Sequence, residues 1–246
     1  MRFPSPLVEG RLVLRYKRFL ADVDLTTGER VTAHCANPGA MLGLVAPGNR
    51  VWLSRSKNPA RKLAYSWELV EVAPCGGAPQ LVGINTSRPN GLVAEALAAG
   101  RLPALSGYAS VRPEVRYGHQ SRVDFLLEGP GLPPCYVEVK NCHFMRRPGL
   151  AEFPDCVAAR SARHMRELAS MVGAGARAVV LHVIQMEADR FDLARDIDPA
   201  YDSAARAAHE AGVEMVALAC RVATDEVVIT REVPYVAPWL SPSPRP

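Results

Sequence analysis

The chain has 246 residues, of which 48% are hydrophobic and 22% charged, and this near-average composition excludes a fibrous repeat or a wholly disordered protein. It contains no run of 18 apolar residues and no apolar N-terminal segment, so we expect neither a membrane span nor an export signal, and we expect a cytoplasmic protein. Residues 1–71 carry 11 basic and 6 acidic side chains, whereas the remainder carries 18 and 19. A basic first third predicts a module that faces a polyanion, although an ordinary solvated surface gives the same count.

Short β-strands separated by turn sequences fill the first third of the chain. The predicted strands span residues 11–16, 19–25, 30–35, 50–54 and 63–72. Glycine, proline and asparagine mark the turns between them. Five short strands with a polar, basic face predict an all-β barrel of the OB type over residues 1–80. A small SH3-like barrel fits the same pattern.

After a Pro- and Gly-rich stretch at residues 74–79 the pattern becomes mixed α/β, which predicts a second domain over residues 81–238. The predicted helices span residues 92–99, 155–172 and 199–211, with Asn90 and Asp155 as caps of the first two. The predicted strands span residues 109–115, 122–127, 135–140, 176–185, 213–222 and 226–230. The tail at residues 239–246 is rich in Pro and Ser, and we expect it to be flexible.

Lys140 is the only lysine after Lys62, and arginine supplies every other fixed positive charge in that part of the chain. An ammonium is a compact point charge whose pKa shifts readily, whereas a guanidinium stays protonated. Lys140 closes the triplet Glu138-Val139-Lys140 at the end of a largely apolar run. This use of lysine marks the triplet as a candidate for chemistry.

Side chains alternate along a strand, so Glu138 and Lys140 share one face. If the two neighbouring predicted strands pair, Asp124 lies beside Glu138 on that face. Two close carboxylates suit a hard divalent cation such as Mg²⁺ or Mn²⁺, which activates water, and Lys140 would then stabilise a phosphoryl transition state. For the triplet alone, a solvated ion pair on the strand face is the commoner explanation. The apolar strand that carries it, Asp124 on the neighbouring strand and Glu95 on an upstream helix bring the metal site level with that alternative.

Basic residues lie beside aromatic ones in the predicted barrel, as in OB domains that bind nucleic-acid strands. We expect Tyr16, Trp52 and Trp67 to belong to the barrel core rather than to stack on bases. The predicted nucleic-acid-binding residues are Arg15, Lys17, Arg18, Arg61, Lys62, Arg122, Arg160 and Arg163. His164 is interpreted as an ordinary helix residue outside the site.

The order of these features resembles the PD-(D/E)xK nuclease superfamily, and several segments are similar to the sugar fermentation stimulation protein A family. These segments are residues 14–23, 58–63, 83–86, 121–125 and 153–155. The resemblance implies an N-terminal OB-fold domain and a C-terminal α/β, restriction-endonuclease-like domain. It also implies DNA binding without sequence preference and a role in regulating maltose metabolism. The superfamily pattern implies that Asp124 and Glu138 are metal ligands, that Lys140 is the catalytic lysine, and that Glu95 is an outer ligand, with Glu114 as a competitor.

Two functions follow from this pattern. The first is a Mg²⁺-dependent nuclease acting on single-stranded or branched DNA, and the second is a non-catalytic DNA-binding regulator of sugar metabolism. Two carboxylates facing a polyanion weaken binding unless a metal ion covers their charge, which favours the nuclease. The residues do not exclude RNA as the partner, and they leave the oligomeric state open, a dimer included.

Overall fold

The computed structural model describes residues 1–118 and 121–239. The first sheet contains β1 (Val8–Tyr16), β2 (Leu20–Leu25), β3 (Arg30–His34), β4 (Arg50–Arg55), β5 (Tyr65–Val72) and β6 (Gln80–Gly83). Its order is β3-β2-β1-β4-β5-β6, and β3 also pairs with β5, so the first five strands close into a barrel. This closure confirms the five predicted strands and the barrel.

The barrel core is built on alternating buried residues, with large aromatic side chains among them. Trp67 is fully buried, and its indole N–H donates to the carbonyl of Leu69 at 2.9 Å. Trp52 is also buried, whereas Tyr16 is half-buried and donates its hydroxyl to Asp22. Trp67 therefore belongs to the barrel core, as expected, whereas the prediction is wrong for Trp52, which is buried against Leu92 and Val93 of the following helix. Neither tryptophan offers an open face for base stacking.

The rest of the described chain forms nine strands and three helices. The strands are β7 (Ser110–Tyr117), β8 (Ser121–Glu128), β9 (Cys135–Cys142), β10 (Phe144–Arg147), β11 (Leu150–Phe153), β12 (Arg177–Ile184), β13 (Arg190–Leu193), β14 (Glu214–Val222) and β15 (Val227–Val233). The helices are α1 (Arg88–Ala98), α2 (Ala159–Gly173) and α3 (Pro199–Glu210). One sheet has the order β15-β14-β12-β9-β8-β7, and β10, β11 and β13 form a second, small sheet.

The six-stranded sheet lies between helices on its two faces. Helix α1 packs on the face formed by residues such as Val137 and Leu181, while α2 and α3 pack on the opposite face with Val180. Strands β9, β12 and β14 run parallel, with β12 in the middle. Every residue of β12 after Arg177 is buried, which confirms the prediction of a strand covered on both faces.

The structure contradicts both predicted helix caps. Helix α1 begins at Arg88, so Asn90 lies inside its first turn, and α2 begins at Ala159, four residues after Asp155. Both side chains bond to other parts of the chain instead. The three strands of the small sheet were also missed, because four-residue strands are too short to show a period in the sequence.

The barrel packs directly against the α/β unit through backbone and side-chain bonds. Strand β6 extends the first sheet to Gly83, just past the predicted division after residue 80, and the N–H of Gly83 donates to the carbonyl of Gln185 at 2.8 Å. The backbone N–H of Met41, in the barrel loop, donates to Oδ2 of Asp155 at 2.6 Å. None of the described helices is long and apolar enough to cross a membrane. Residues 240–246 of the predicted flexible tail lie outside the described residues.

Candidate active site

Glu138 and Lys140 project from β9 on the face covered by α2, and both are almost completely buried. Glu138 is 3% exposed and Lys140 is 9% exposed. The Nζ of Lys140 donates to Oε1 of Glu138 at 2.7 Å. The alternation of side chains predicted this shared face. The solvated ion pair considered as an alternative is excluded, because the pair lies inside the protein.

His164 is a third member of this buried cluster, so its interpretation as an ordinary helix residue outside the site is wrong. Its Nδ1 donates to Oε1 of Glu138, the same oxygen that Lys140 contacts, and its ring is also buried. A signal was present in the sequence. His164 follows Ser161 by three residues and precedes Leu168 by four, so it shares the inward face of the predicted helix. A histidine on an inward face needs a polar partner, and Glu138 is that partner.

Asp124 lies next to Glu138 at the end of the paired part of β8 and β9. Phe125 pairs with Val137, so the antiparallel register brings Asp124 opposite Glu138. The Oδ2 of Asp124 accepts the backbone N–H of Val139 at 2.7 Å. Its Oδ1 accepts a bond from the side-chain amide of Asn90 on α1, also at 2.7 Å. The two carboxylates are therefore fixed by separate sets of donors.

The two carboxylates have opposite pKa shifts. Burial raises the pKa of Asp124, and the nearby charge of Glu138 raises it further, against the bonds from Val139 and Asn90. Burial by itself would raise the pKa of Glu138, but the charge of Lys140 and the bond from His164 outweigh it and hold that pKa below its usual value. Glu138 is thus a fixed anion, and Asp124 is the more readily protonated of the two.

One oxygen of this cluster has no partner. The Oε2 of Glu138 is buried without a hydrogen bond from any described residue, and so are the Tyr117 hydroxyl and Oε2 of Glu167. Burial raises the pKa of Tyr117 well above its usual value, and the charges of Glu138, Glu167 and Asp124 raise it further.

These features fit a hard divalent cation held by few protein ligands. Within residues 1–118 and 121–239, no group of three or more His, Cys, Asp and Glu side chains is placed to hold a metal ion. Mg²⁺ is commonly held by one or two carboxylates, with waters and substrate phosphate completing its shell. Asp124 and Glu138, with the unpaired Oε2 of the latter, match that donor set.

The structure does not bring Glu95 to this cluster. Its carboxylate accepts from the amino group of Met1 at 3.1 Å and from Arg101 at 2.9 Å. Glu95 follows Asn90 by five residues on α1, so the two side chains leave the helix in different directions. Asn90, and not Glu95, is the α1 side chain that bonds to Asp124. Glu114, the competitor, is exposed on β7.

Helix α1 is held in place by a buried ion pair with the barrel. Arg88 donates from Nε to Oε2 of Glu68 at 2.9 Å and from Nη2 to Oε1 at 2.6 Å. Glu68 lies on β5 and is 2% exposed, and it also accepts from Asn85. A bidentate pair of this kind fixes both distance and orientation. The barrel thereby positions the helix that carries Asn90.

Family models match both parts of this chain. A model described as the SfsA N-terminal OB domain matches residues 13–84, and one described as the sugar fermentation stimulation protein RE domain matches residues 87–226. The chain belongs to the sugar fermentation stimulation protein family. Membership identifies the barrel as an OB domain rather than an SH3-like one, and the second unit as a restriction-endonuclease-like domain.

Similar proteins of the family cover almost the whole chain. A sugar fermentation stimulation protein homolog of Methylobacterium nodulans is 69% identical over 236 residues, which is 96% of this chain and 99% of the relative. One from Methylorubrum populi is 65% identical over 243 residues, covering 99% and 98%. The structure of Pyrococcus furiosus SfsA in complex with Ca²⁺ matches with a TM-score of 0.85 at 25% identity, covering 96% of this chain and 98% of that one.

In the present chain, the eight predicted nucleic-acid-binding residues differ from one another in their surroundings. Arg15 donates to the carbonyls of Asn37 and Gly39, at 2.8 and 2.9 Å, and so holds a barrel loop. Arg61 donates to Ser66, and Arg160 donates to Nε2 of His164 at 3.3 Å. The other five predicted residues are exposed: Lys17, Arg18, Lys62, Arg122 and Arg163.

Proposed function

We propose that the protein is a metal-dependent nuclease that cuts phosphodiester bonds in nucleic acid. The observation that carries this proposal is the cluster of Asp124, Glu138 and Lys140 at neighbouring positions of two paired strands, with one carboxylate oxygen unpaired. Burying two acids and one ammonium without a function is costly. A metal ion that covers the acids offsets that cost.

Each member of the cluster has a distinct part in this proposal. Asp124 and Glu138 would hold Mg²⁺ or Mn²⁺, which supplies an activated water and neutralises charge on a phosphate oxygen. The fold match to a Pyrococcus furiosus protein in complex with Ca²⁺ supports a divalent-cation site in the family. Lys140 would donate to the developing charge of the phosphoryl group. His164 and Asn90 orient the two carboxylates.

A second candidate is a DNA-binding regulator of sugar metabolism that keeps this fold without catalysis. The observation that favours it is the bond from Lys140 to Glu138, because this ammonium is already neutralised by a carboxylate. The nuclease proposal requires that substrate and metal ion draw Lys140 partly away from Glu138. The family name alone connects the protein with sugars.

Cleavage of labelled nucleic acids tests the proposal directly. Single-stranded, duplex and branched DNA, and RNA, are incubated with the protein and Mg²⁺, Mn²⁺ or EDTA. We expect metal-dependent products from the wild type and a loss of at least about 100-fold in Glu138→Gln and Lys140→Ala. Glu128→Gln is the matched control, because Glu128 lies at the exposed end of β8 and pairs only with Arg112.

The outcomes separate the two candidate functions. Products that disappear with EDTA and in both site variants, but persist in Glu128→Gln, support the nuclease. If no substrate is cut with either metal ion while binding is equal in wild type and Glu138→Gln, the regulator is correct. A calorimetric titration with Ca²⁺ adds an independent measurement, since the nuclease proposal requires that Glu138→Gln weaken Ca²⁺ binding.

A further inference from the structure

A cleft of about 800 Å³ lies between the barrel and the α/β unit and reaches Lys140. One wall is the barrel, with Arg15, Arg18 and the loop at residues 37–40. The other wall is the segment at residues 153–161, which leads into α2 and includes Arg160. The end of β9, with Lys140 and Asn141, also lines the cleft. The cleft therefore connects the candidate catalytic lysine with the OB domain.

The cleft is lined by more basic than acidic residues. Four of the residues that line it are basic, and Asp155 alone is acidic. The carboxylate of Asp155 already has partners within the protein. It accepts the N–H of Met41 at 2.6 Å and lies 3.2 Å from Nε2 of His143. In the described structure, the guanidinium groups of Arg18 and Arg160 make no ion pair with an acid. Arg160 uses its Nε for His164, so both guanidinium groups still have N–H groups for phosphate.

The burial of Lys140 favours one form of the nucleic acid. Lys140 is 9% exposed and lines the cleft between residues of the two domains. A phosphodiester in a duplex carries a complementary strand beside it, which would meet these walls before the phosphate reached the lysine. An unpaired strand has a free flank and can enter. OB domains bind single strands with a basic groove in this manner.

We propose that this cleft binds a single strand of nucleic acid and guides one of its phosphates to Lys140, with Arg18 and Arg160 binding the neighbouring phosphates. Arg15 has a different part, because its guanidinium is used to hold the loop at residues 37–40 that forms the wall. The proposal rests on the proposed nuclease function for its choice of ligand. It adds which strand form enters and which of the predicted basic residues contact it.

Binding measured in EDTA tests this inference without any cleavage. The affinity of the full chain for a labelled single-stranded oligonucleotide and for the duplex of the same sequence is measured over a range of salt concentrations. The test variant is Arg18→Gln with Arg160→Gln, and the matched control is Arg55→Gln with Arg166→Gln. The control pair also removes one exposed barrel cation and one exposed α2 cation, but neither residue lines the cleft.

We expect the wild type to bind the single strand at least about tenfold more tightly than the duplex. The test variant should lose at least about tenfold in affinity for the single strand, because each lost charged hydrogen bond to phosphate is large. In a plot of the logarithm of the binding constant against the logarithm of the salt concentration, the slope of this variant should be smaller by about 1.4. Each of the two lost phosphate contacts contributes about 0.7 to that slope in single strands. The control variant should retain most of the affinity and slope.

Equal binding of duplex and single strand, or equal losses in the test and control variants, would overturn the inference. Its failure is distinct from failure of the nuclease proposal. A protein that binds strands through Arg18 and Arg160 but cuts nothing in Mg²⁺ or Mn²⁺ refutes the nuclease alone. A protein that cuts nucleic acid but binds it equally well without these two arginines refutes only the proposal that the cleft binds the strand.

Discussion

The Nδ1 of His164 donates to the same carboxylate oxygen of Glu138 that accepts from Lys140, and all three side chains are buried. Two donors on Oε1 leave Oε2 without a described partner. The histidine therefore orients the carboxylate so that one oxygen stays available. Its position is set by the packing of α2 on the central sheet.

Replacing His164 by Ala should destabilise the protein and slow its cleavage of nucleic acid. The carboxylate of Glu138 would lose one donor, so we expect the free energy of unfolding to fall by about 1–3 kcal/mol. Cleavage should fall by about 10- to 100-fold, as is typical when a residue that orients a metal ligand is removed. Urea unfolding and the cleavage assay measure these effects. His209→Ala on α3 is the control, and equal behaviour of the two variants would contradict the orienting role.

Asn90, rather than Glu95, should matter for activity. Asn90→Ala removes the donor to Oδ1 of Asp124, and we expect cleavage to fall by about tenfold or more. Glu95→Gln affects only contacts to Met1 and Arg101 and should cut at close to the wild-type rate. Initial cleavage rates of the two variants provide the comparison. If Glu95→Gln lost more activity than Asn90→Ala, Glu95 would be the outer ligand that the superfamily pattern suggested.

Gly39 should tolerate no side chain, because the barrel loop approaches Asp155 closely. A Cβ at this position would lie 2.8 Å from both carboxylate oxygens of Asp155, so we expect Gly39→Ala to destabilise by about 1–3 kcal/mol. Gly173→Ala is the matched control, since a Cβ there meets nothing within 4 Å and should stabilise by about 0.4–1 kcal/mol. Thermal unfolding of both variants measures the difference. A stable Gly39→Ala protein would show that the joint between the domains is loose.

The contact between Asp155 and the barrel loop should make the joint sensitive to acid. Burial opposes ionisation of Asp155, but the bond and charge of His143 outweigh it and hold the pKa of Asp155 below its usual value. A carboxylate with a lowered pKa in the folded state stabilises the protein above its unfolded pKa, near 3.9, and this stabilisation is lost as the pH falls through the folded value.

The variant Asp155→Asn should therefore be less stable than the wild type at pH 7, with the difference shrinking below about pH 4. Urea unfolding at both pH values provides the measurement. Asp189→Asn is a suitable control, because Asp189 is 82% exposed and makes only a long contact with Arg231. A stability difference that stays constant across this pH range would assign the effect to packing rather than to the charge of Asp155.

The local patterns of the sequence determined much of this protein. Strict alternation placed Glu138 and Lys140 on one face of a strand, and the short connection to the preceding strand brought Asp124 opposite Glu138. Turn residues and strand periods predicted the barrel and the order of the main elements. These features depend on residues close together in the chain, so the sequence shows them directly.

Only the tertiary structure decided the contacts between distant elements. His164 meets Glu138 across 26 residues, and Asp155 meets Met41 across 114. The sequence treated Arg15, Arg18 and Arg160 as equivalent cations, whereas folding uses the first to hold a loop and leaves the other two in a cleft. The physical reason is that such contacts follow from the packing of helices and sheets on one another, and no local period of a chain encodes that geometry.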